Sequence, residues 1–161
     1  MPTITPNLWF DDEALEAAEH YVSIFPRSRI VNVAHYTEAG PGEPGTVLTV
    51  DFELDGQRFT AINGGPQFSF DEAVSFLIEC KDQDEIDFYW AKLTDGGEES
   101  QCGWLKDRYG LSWQVVPTGF EELMAGPDQA AAERAMRAML GMRKLDVAAL
   151  RAAADGEPVT T

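Results

Sequence analysis

The sequence predicts an α+β protein built from two copies of a βαβββ unit, followed by helices. Three observations carry this reading. A glycine turn followed by an alternating strand occurs twice, at Gly56-Gln-Arg-Phe-Thr-Ala-Ile and at Gly110-Leu-Ser-Trp-Gln-Val-Val; aligning the two glycines sets Phe59 on Trp113 and Thr60 on Gln114. Each of these segments closes a run containing one stretch of helical period and several of strand period. Beyond Gly119 the composition turns to alanine and methionine at helical spacing. With 161 residues, 44% of them hydrophobic, the chain can bury one core. It is expected to be a single domain, 1–161, with a first module at 1–64, a second at 73–119 and a helical C-terminal extension at 120–156.

Each element has a local reason. Ile4 to Phe10 is a short strand-like run, and Asp11 or Asp12 can cap the helix after it, whose apolar face is Ala14, Ala18, Tyr21 and Phe25. Pro26 stops that helix. Arg29 to Tyr36 and Thr46 to Leu54 read as strands around a Gly/Pro loop, and Asp55-Gly56 turns tightly into the strand from Gln57 to Ile62. The second pass opens with the strand Val74 to Cys80. Asp82 with Glu85 three residues on is a capping-box pattern, and Ile86, Tyr89, Trp90 and Leu93 form the stripe of the helix that follows. Two short strands then lead to Leu111 to Val116. In the extension, Pro127 and Asp128 stand where a helix begins, with Ala132, Ala135, Met136, Met139 and Leu140 at helical spacing; a second helix, Asp146 to Ala154, ends near Gly156 and Pro158.

Charge narrows the function classes. A formal net charge of −16 and a pI near 4.3 repel phosphate backbones and anionic lipid heads, so neither nucleic acid nor membrane is an expected partner. No apolar run approaches a membrane span, the opening residues carry no signal core, and the expected location is cytoplasmic. Cys80 and Cys102 are then free thiols rather than a disulfide. Gly40-Pro-Gly-Glu-Pro-Gly satisfies the spelling of a nucleotide-binding loop, but strand-like residues follow where a helix is required, so it reads as a hairpin loop and no cofactor is expected.

Taken together, Ile62-Asn-Gly-Gly-Pro, Ser75-Phe76, Cys102-Gly-Trp-Leu, Asp107-Arg-Tyr-Gly, Ser112-Trp-Gln-Val-Val-Pro and Met139-Leu-Gly-Met-Arg-Lys-Leu-Asp resemble the PhnB-like branch of the vicinal oxygen chelate superfamily. This superfamily is also called glyoxalase/bleomycin-resistance/dioxygenase, and members of the branch often carry a 3-demethylubiquinone-9 3-methyltransferase label. The resemblance implies that the two modules form a curved mixed sheet around a small-molecule cavity. It also implies metal-ligand positions on the first and last strands of each module, which fall near Thr5 and Ser75 and at Thr60 and Gln114. None of these four is His, Asp, Glu or Cys, and hydroxyls with one amide lack the charge and basicity to hold a divalent transition ion, so no metal is expected. His20 and His35 lie away from these positions.

Strand alternation then sorts the side chains. With Thr60 and Gln114 facing the cavity, Arg58, Ile62, Ser112 and Val116 share their face, as do Asn7, Trp9, Ser75, Leu77 and Glu79 on the first strands. Asn7, Trp9, Arg58, Thr60, Ser75, Trp104 and Gln114 are the candidate ligand-binding residues. Glu79 is the candidate general base, with an ion pair to Arg58 as its structural alternative. The expected function is small-molecule binding without metal; the alternative is a metal-independent enzyme, a lyase or isomerase, acting on a small oxygenated substrate. Open sheet edges and the stripe Ala135, Met136, Met139, Leu140 and Met142 suggest a homodimer, although the same stripe could pack within one chain.

Overall fold

The computed structural model describes residues 1–157, so Pro158 lies outside the described residues. The chain divides into two compact units, Met1–Phe70 and the chain from Asp71 onward. The first contains β1 (Asn7–Phe10), α1 (Ala14–Ile24), β2 (Arg29–His35), β3 (Val47–Leu54) and β4 (Gln57–Asn63). The second contains β5 (Ser75–Cys80), α2 (Gln83–Thr94), β6 (Glu98–Glu99), β7 (Trp104–Lys106) and β8 (Ser112–Pro117), then α3 (Phe120–Ala125), α4 (Gln129–Leu140) and α5 (Val147–Ala154). Each unit holds a four-stranded mixed sheet, ordered β1-β4-β3-β2 in the first and β5-β8-β7-β6 in the second. The first and last strands of each βαβββ pass lie parallel, and the other pairs are antiparallel.

The two sheets match residue by residue. Asn7 pairs with Thr60, and Thr60 with Asp51; in the second unit Leu77 pairs with Gln114, and Gln114 with Trp104. Counting from these rows, Ser75 stands where Thr5 stands in the first unit, and Phe59 faces Phe52 as Trp113 faces Leu105. Gly56 and Gly110 open the equivalent strands with φ of 84° and 85°, a left-handed turn that a side chain would strain. The glycine alignment read from the sequence therefore coincides with the backbone register.

One face of each sheet is closed by a helix. Leu8, Phe10, Phe59 and Ala61 are buried on the side that α1 covers, with Ala14, Ala17, Ala18, Tyr21 and Ile24 from the helix. In the second unit α2 lies on β5, β7 and β8 and contributes Ile86, Trp90 and Leu93, while Cys80, Leu105, Trp113 and Val115 are buried on the strands. The Asp82 carboxylate accepts from the Glu85 amide at 3.0 Å, capping α2 as the sequence pattern requires.

Several expectations are corrected. β1 starts at Asn7 rather than Ile4, because Pro6 has no N–H to give a neighbour; its carbonyl still accepts from the Thr60 amide at 3.0 Å. Neither Asp11 nor Asp12 caps α1. Its first amide, on Ala14, donates instead to Asn63 Oδ1 at 2.8 Å, an acceptor 49 positions away. The six-residue helix α3 has too little apolar periodicity to be seen in the sequence. In the extension, Met139 is buried with Val116, Leu145 and Leu150, against which Cys102, Phe120 and Met142 pack. Ala135 is fully buried as well, so these two members of the proposed dimer stripe serve the unit's own core, whereas Met136 and Leu140 stay exposed.

Candidate functional site

The face of each sheet that no helix of its βαβββ pass covers carries the candidate ligand-binding side chains. In the first unit the central row is Asn7, Thr60 and Asp51 on adjacent strands. Thr60 Oγ1 donates to Asp51 Oδ1 at 2.7 Å, which fixes the hydroxyl rotor and leaves its lone pairs available. Asp51 was missed in the sequence, since its place beside Thr60 follows only from the β3–β4 register. Arg58, two residues back on the same face, lies 3.8 Å from Glu53, which also takes Arg29 at 3.1 Å. Both arginines are exposed and Glu53 is half-buried, and ion pairs with such solvated partners contribute little.

Trp9 is less available than its alternation suggests. Its indole N–H donates to the Gly65 carbonyl at 2.9 Å, and Phe68 meets its ring edge-on at 5.0 Å. A Cβ on Gly64 would collide with the ring, so the Gly-Gly pair is what lets the chain after β4 close over the tryptophan. This indole therefore anchors the 64–68 segment and offers a ligand only part of its surface.

In the second unit Gln114 Nε2 donates to Ser75 Oγ at 2.9 Å, and Trp104 stands directly across the strand pair. This brings together three of the seven candidate residues as a polar pair beside an aromatic wall. Lys106, two pairs further along, is held by Glu72, whose carboxyl is kept below its usual range by hydrogen bonding to that ammonium. Ser112 and Val116, expected on the same face, are closed off: Ser112 is 1% exposed, and Val116 packs under the C-terminal helices. Glu79 is exposed on the edge strand β5, with no ion-pair or hydrogen-bond partner among the described residues, so the enclosure that a buried general base needs is absent.

The four superfamily ligand positions thus present two hydroxyls on β4 and β5, one amide on β8 and Thr5 ahead of β1. Among the described residues no group of three His, Cys, Asp or Glu is placed to hold a metal ion, and the carboxylate paired with Thr60, Asp51, is engaged by that hydroxyl. Such a donor set does not fit a divalent transition metal. His20 lies in α1 and His35 at the end of β2. Cys80 is fully buried, which pushes its thiol up to about 12 and makes it inert.

The motif Asp107-Arg-Tyr-Gly has a structural role. Asp107 is 3% exposed and accepts from the amides of Tyr109 and Leu111 on one oxygen and from the Trp113 indole on the other, at 2.9, 3.1 and 2.9 Å. The Gly40–Gly45 loop joins β2 to β3 and opens no helix. It folds over Tyr36, whose ring a Cβ on Gly42 would strike and whose hydroxyl donates to the Asn63 carbonyl at 2.5 Å. These glycines answer a steric demand of the protein itself, and the loop lacks the helix N-terminus that receives a nucleotide phosphate. No helix among the described residues is long and apolar enough to cross a membrane.

Comparison with known proteins agrees with this architecture. The family model described as 3-demethylubiquinone-9 3-methyltransferase matches residues 2–116. Among solved structures, the chain is similar to the PhnB protein of Bacillus cereus, described with the same methyltransferase name. The identity is 36%, the match covers 73% of this chain and 100% of that one, and the TM-score is 0.67. A Pseudomonas aeruginosa protein is 16% identical over 73% of this chain and 98% of its own, with a TM-score of 0.60. The fosfomycin resistance protein FosX of Listeria monocytogenes is 11% identical over 76% and 97%, with a TM-score of 0.52, a likeness of fold alone. No curated protein sequence matches. By the extent of the family match and the duplicated βαβββ architecture, the chain belongs to the PhnB-like 3-demethylubiquinone-9 3-methyltransferase family, and its fold is of the glyoxalase/bleomycin-resistance type.

Proposed function

We propose that this protein binds a small polar molecule on the open sheet faces and does so without a transition metal. The observation that carries the reading is the pair of hydrogen-bonded contacts, Thr60 with Asp51 and Gln114 with Ser75, in which Thr60, Gln114 and Ser75 stand at positions where the superfamily places its ligands. Each row is held in one orientation by its own bond, and each keeps further donor or acceptor capacity for a guest. Trp104 supplies an aromatic wall beside the second row. Hydroxyls and an amide orient a ligand but do not polarise it as a metal would. Methyl transfer has no support in this chain, because the only glycine motif of the right spelling is a hairpin loop.

The accompanying reading is a cytoplasmic homodimer that touches neither nucleic acid nor membrane, supported by the charge of −16 and by exposed apolar side chains in the C-terminal helices. The test begins with elemental analysis of the purified protein for zinc, nickel, manganese and iron; about one tightly held ion per chain would contradict metal-free binding. A fragment library of small oxygenated molecules is then screened by thermal shift, and hits are titrated calorimetrically against wild type, Thr60→Val and Gln114→Leu. Affinity should fall about tenfold or more in at least one variant. Hits that bind both variants as tightly as wild type would place the ligand elsewhere.

A further inference from the structure

The homodimer reading leaves the seam open, and the surface of α4 supplies one. Met136 and Leu140 are exposed at 38% and 61%, while Ala132, Ala135 and Met139, also on α4, are buried beneath the helix. Between α3 and α4 runs a groove of about 570 Å³, walled by Met124, Pro127, Ala132 and Met136 and rimmed by Glu133 and Arg137. A protruding leucine and an apolar groove therefore sit on one helix. Glu133 and Arg137 are spaced four apart, the separation at which helix ion pairs form, yet neither has an ion-pair partner among the described residues.

We infer that α4 docks antiparallel on α4 of a second copy of this chain, with Leu140 of each copy entering the α3–α4 groove of the other. A twofold axis at the level of Ala135 sets Glu133 of each copy beside Arg137 of the other and brings Leu140 opposite Ala130, at the groove mouth. Knob, hole and both charges come from one surface, as an isologous contact requires. Charge also selects this face. Two chains of −16 repel each other over most of their surfaces, but here the exposed Glu133 of each copy meets the exposed Arg137 of the other, while Arg134 is engaged by the Ala153 and Ala154 carbonyls of its own chain. The family match ends at residue 116, so this seam belongs to a part of the chain outside it.

The inference rests on the homodimer reading, and one experiment separates the two. Sedimentation velocity of the full chain at micromolar concentration should give twice 17.8 kDa, and Leu140→Asp should give the monomer mass. Glu133→Arg and Arg137→Glu should each weaken the dimer about tenfold or more by opposing like charges twice per interface. The double exchange Glu133→Arg/Arg137→Glu should restore it to within about threefold, since the pairs re-form with signs reversed. Circular dichroism checks that these surface variants keep the fold. A monomeric wild type would overturn the dimer and the seam together. A dimer that ignores all four variants, or one that the double exchange fails to restore, would overturn the seam and leave the dimer standing.

Discussion

Replacing Asp107 should be among the most damaging single changes in the chain, although the residue touches no candidate ligand site. Its carboxylate takes two amides on Oδ1 and the Trp113 indole on Oδ2, and it is 3% exposed. In Asp107→Ala the Trp113 N–H and the buried Leu111 amide lose this acceptor, at about 1–3 kcal/mol each, for a total of roughly 3–5 kcal/mol. Asp107→Asn is the more discriminating change. Its amide oxygen can keep the two backbone donors, but the NH2 then faces an indole donor, so the expected loss is about 2–3 kcal/mol, concentrated in one contact. Trp113→Phe removes the same contact from the other side. A double-mutant cycle by urea unfolding should return a coupling of roughly 1.5–3 kcal/mol between the two positions. At about 2–4 °C per kcal/mol for a chain of this size, Asp107→Ala should lower the melting temperature by roughly 10 °C. Additive effects in the cycle, or an Asp107→Asn variant as stable as wild type, would refute the clamp.

Three further outcomes follow from the same structure. Cys80 should resist alkylation at pH 8 until urea is added, as read by mass spectrometry. Its protonated burial also means that stability falls as pH rises from its ordinary value near 9 toward about 12, where the thiol must ionise inside the core. The Glu13 carboxyl is raised by burial first, then by Asp12, Asp11 and Glu16, so the folded state loses stability as pH climbs through the carboxylate range. Glu13→Gln should therefore raise the unfolding midpoint at pH 7 and have no such effect below pH about 4, where wild type is itself protonated; a gap of equal size at both pH values would contradict the cause. Asn63→Ala should cost about 1–2 kcal/mol, because Oδ1 caps α1 and Nδ2 donates to the Val47 carbonyl at 3.1 Å. Hydrogen exchange should quicken first at the Ala14 turn, and unchanged protection there would count against the cap.

The backbone plan was legible because strands and helices announce themselves by period, and two turns with the same glycine gave the register of one sheet from the other. The alternation at Phe59-Thr60-Ala61 and Trp113-Gln114-Val115 was enough to separate helix-facing from open positions. What the sequence hid were relations fixed only by pairing across distance. Asp51 joins Thr60 through a hairpin register, and Asn63 caps a helix that begins 49 positions earlier. The Met139 stripe was visible as a stripe, but which of its members face inward depended on where α5 and the Cys102 turn pack. Trp9 was placed on the correct face, and its cover by Gly64 to Phe68 could not be read, since a glycine pair signals a turn without saying what it turns over.

The matched registers give this molecule a built-in control. Thr60 beside Asp51 and Gln114 beside Trp104 occupy equivalent rows of two sheets with the same strand order, yet one row is ionic and hydroxylic and the other amidic and aromatic. Any ligand contact attributed to one row can be transplanted: exchanging Asp51 and Trp104, or Thr60 and Gln114, asks the same backbone to present the other half's chemistry. The two sheets share their backbone register while the side chains set on it differ. A change of specificity on exchange would assign the contact to the side chains, and no change would assign it to the backbone they share.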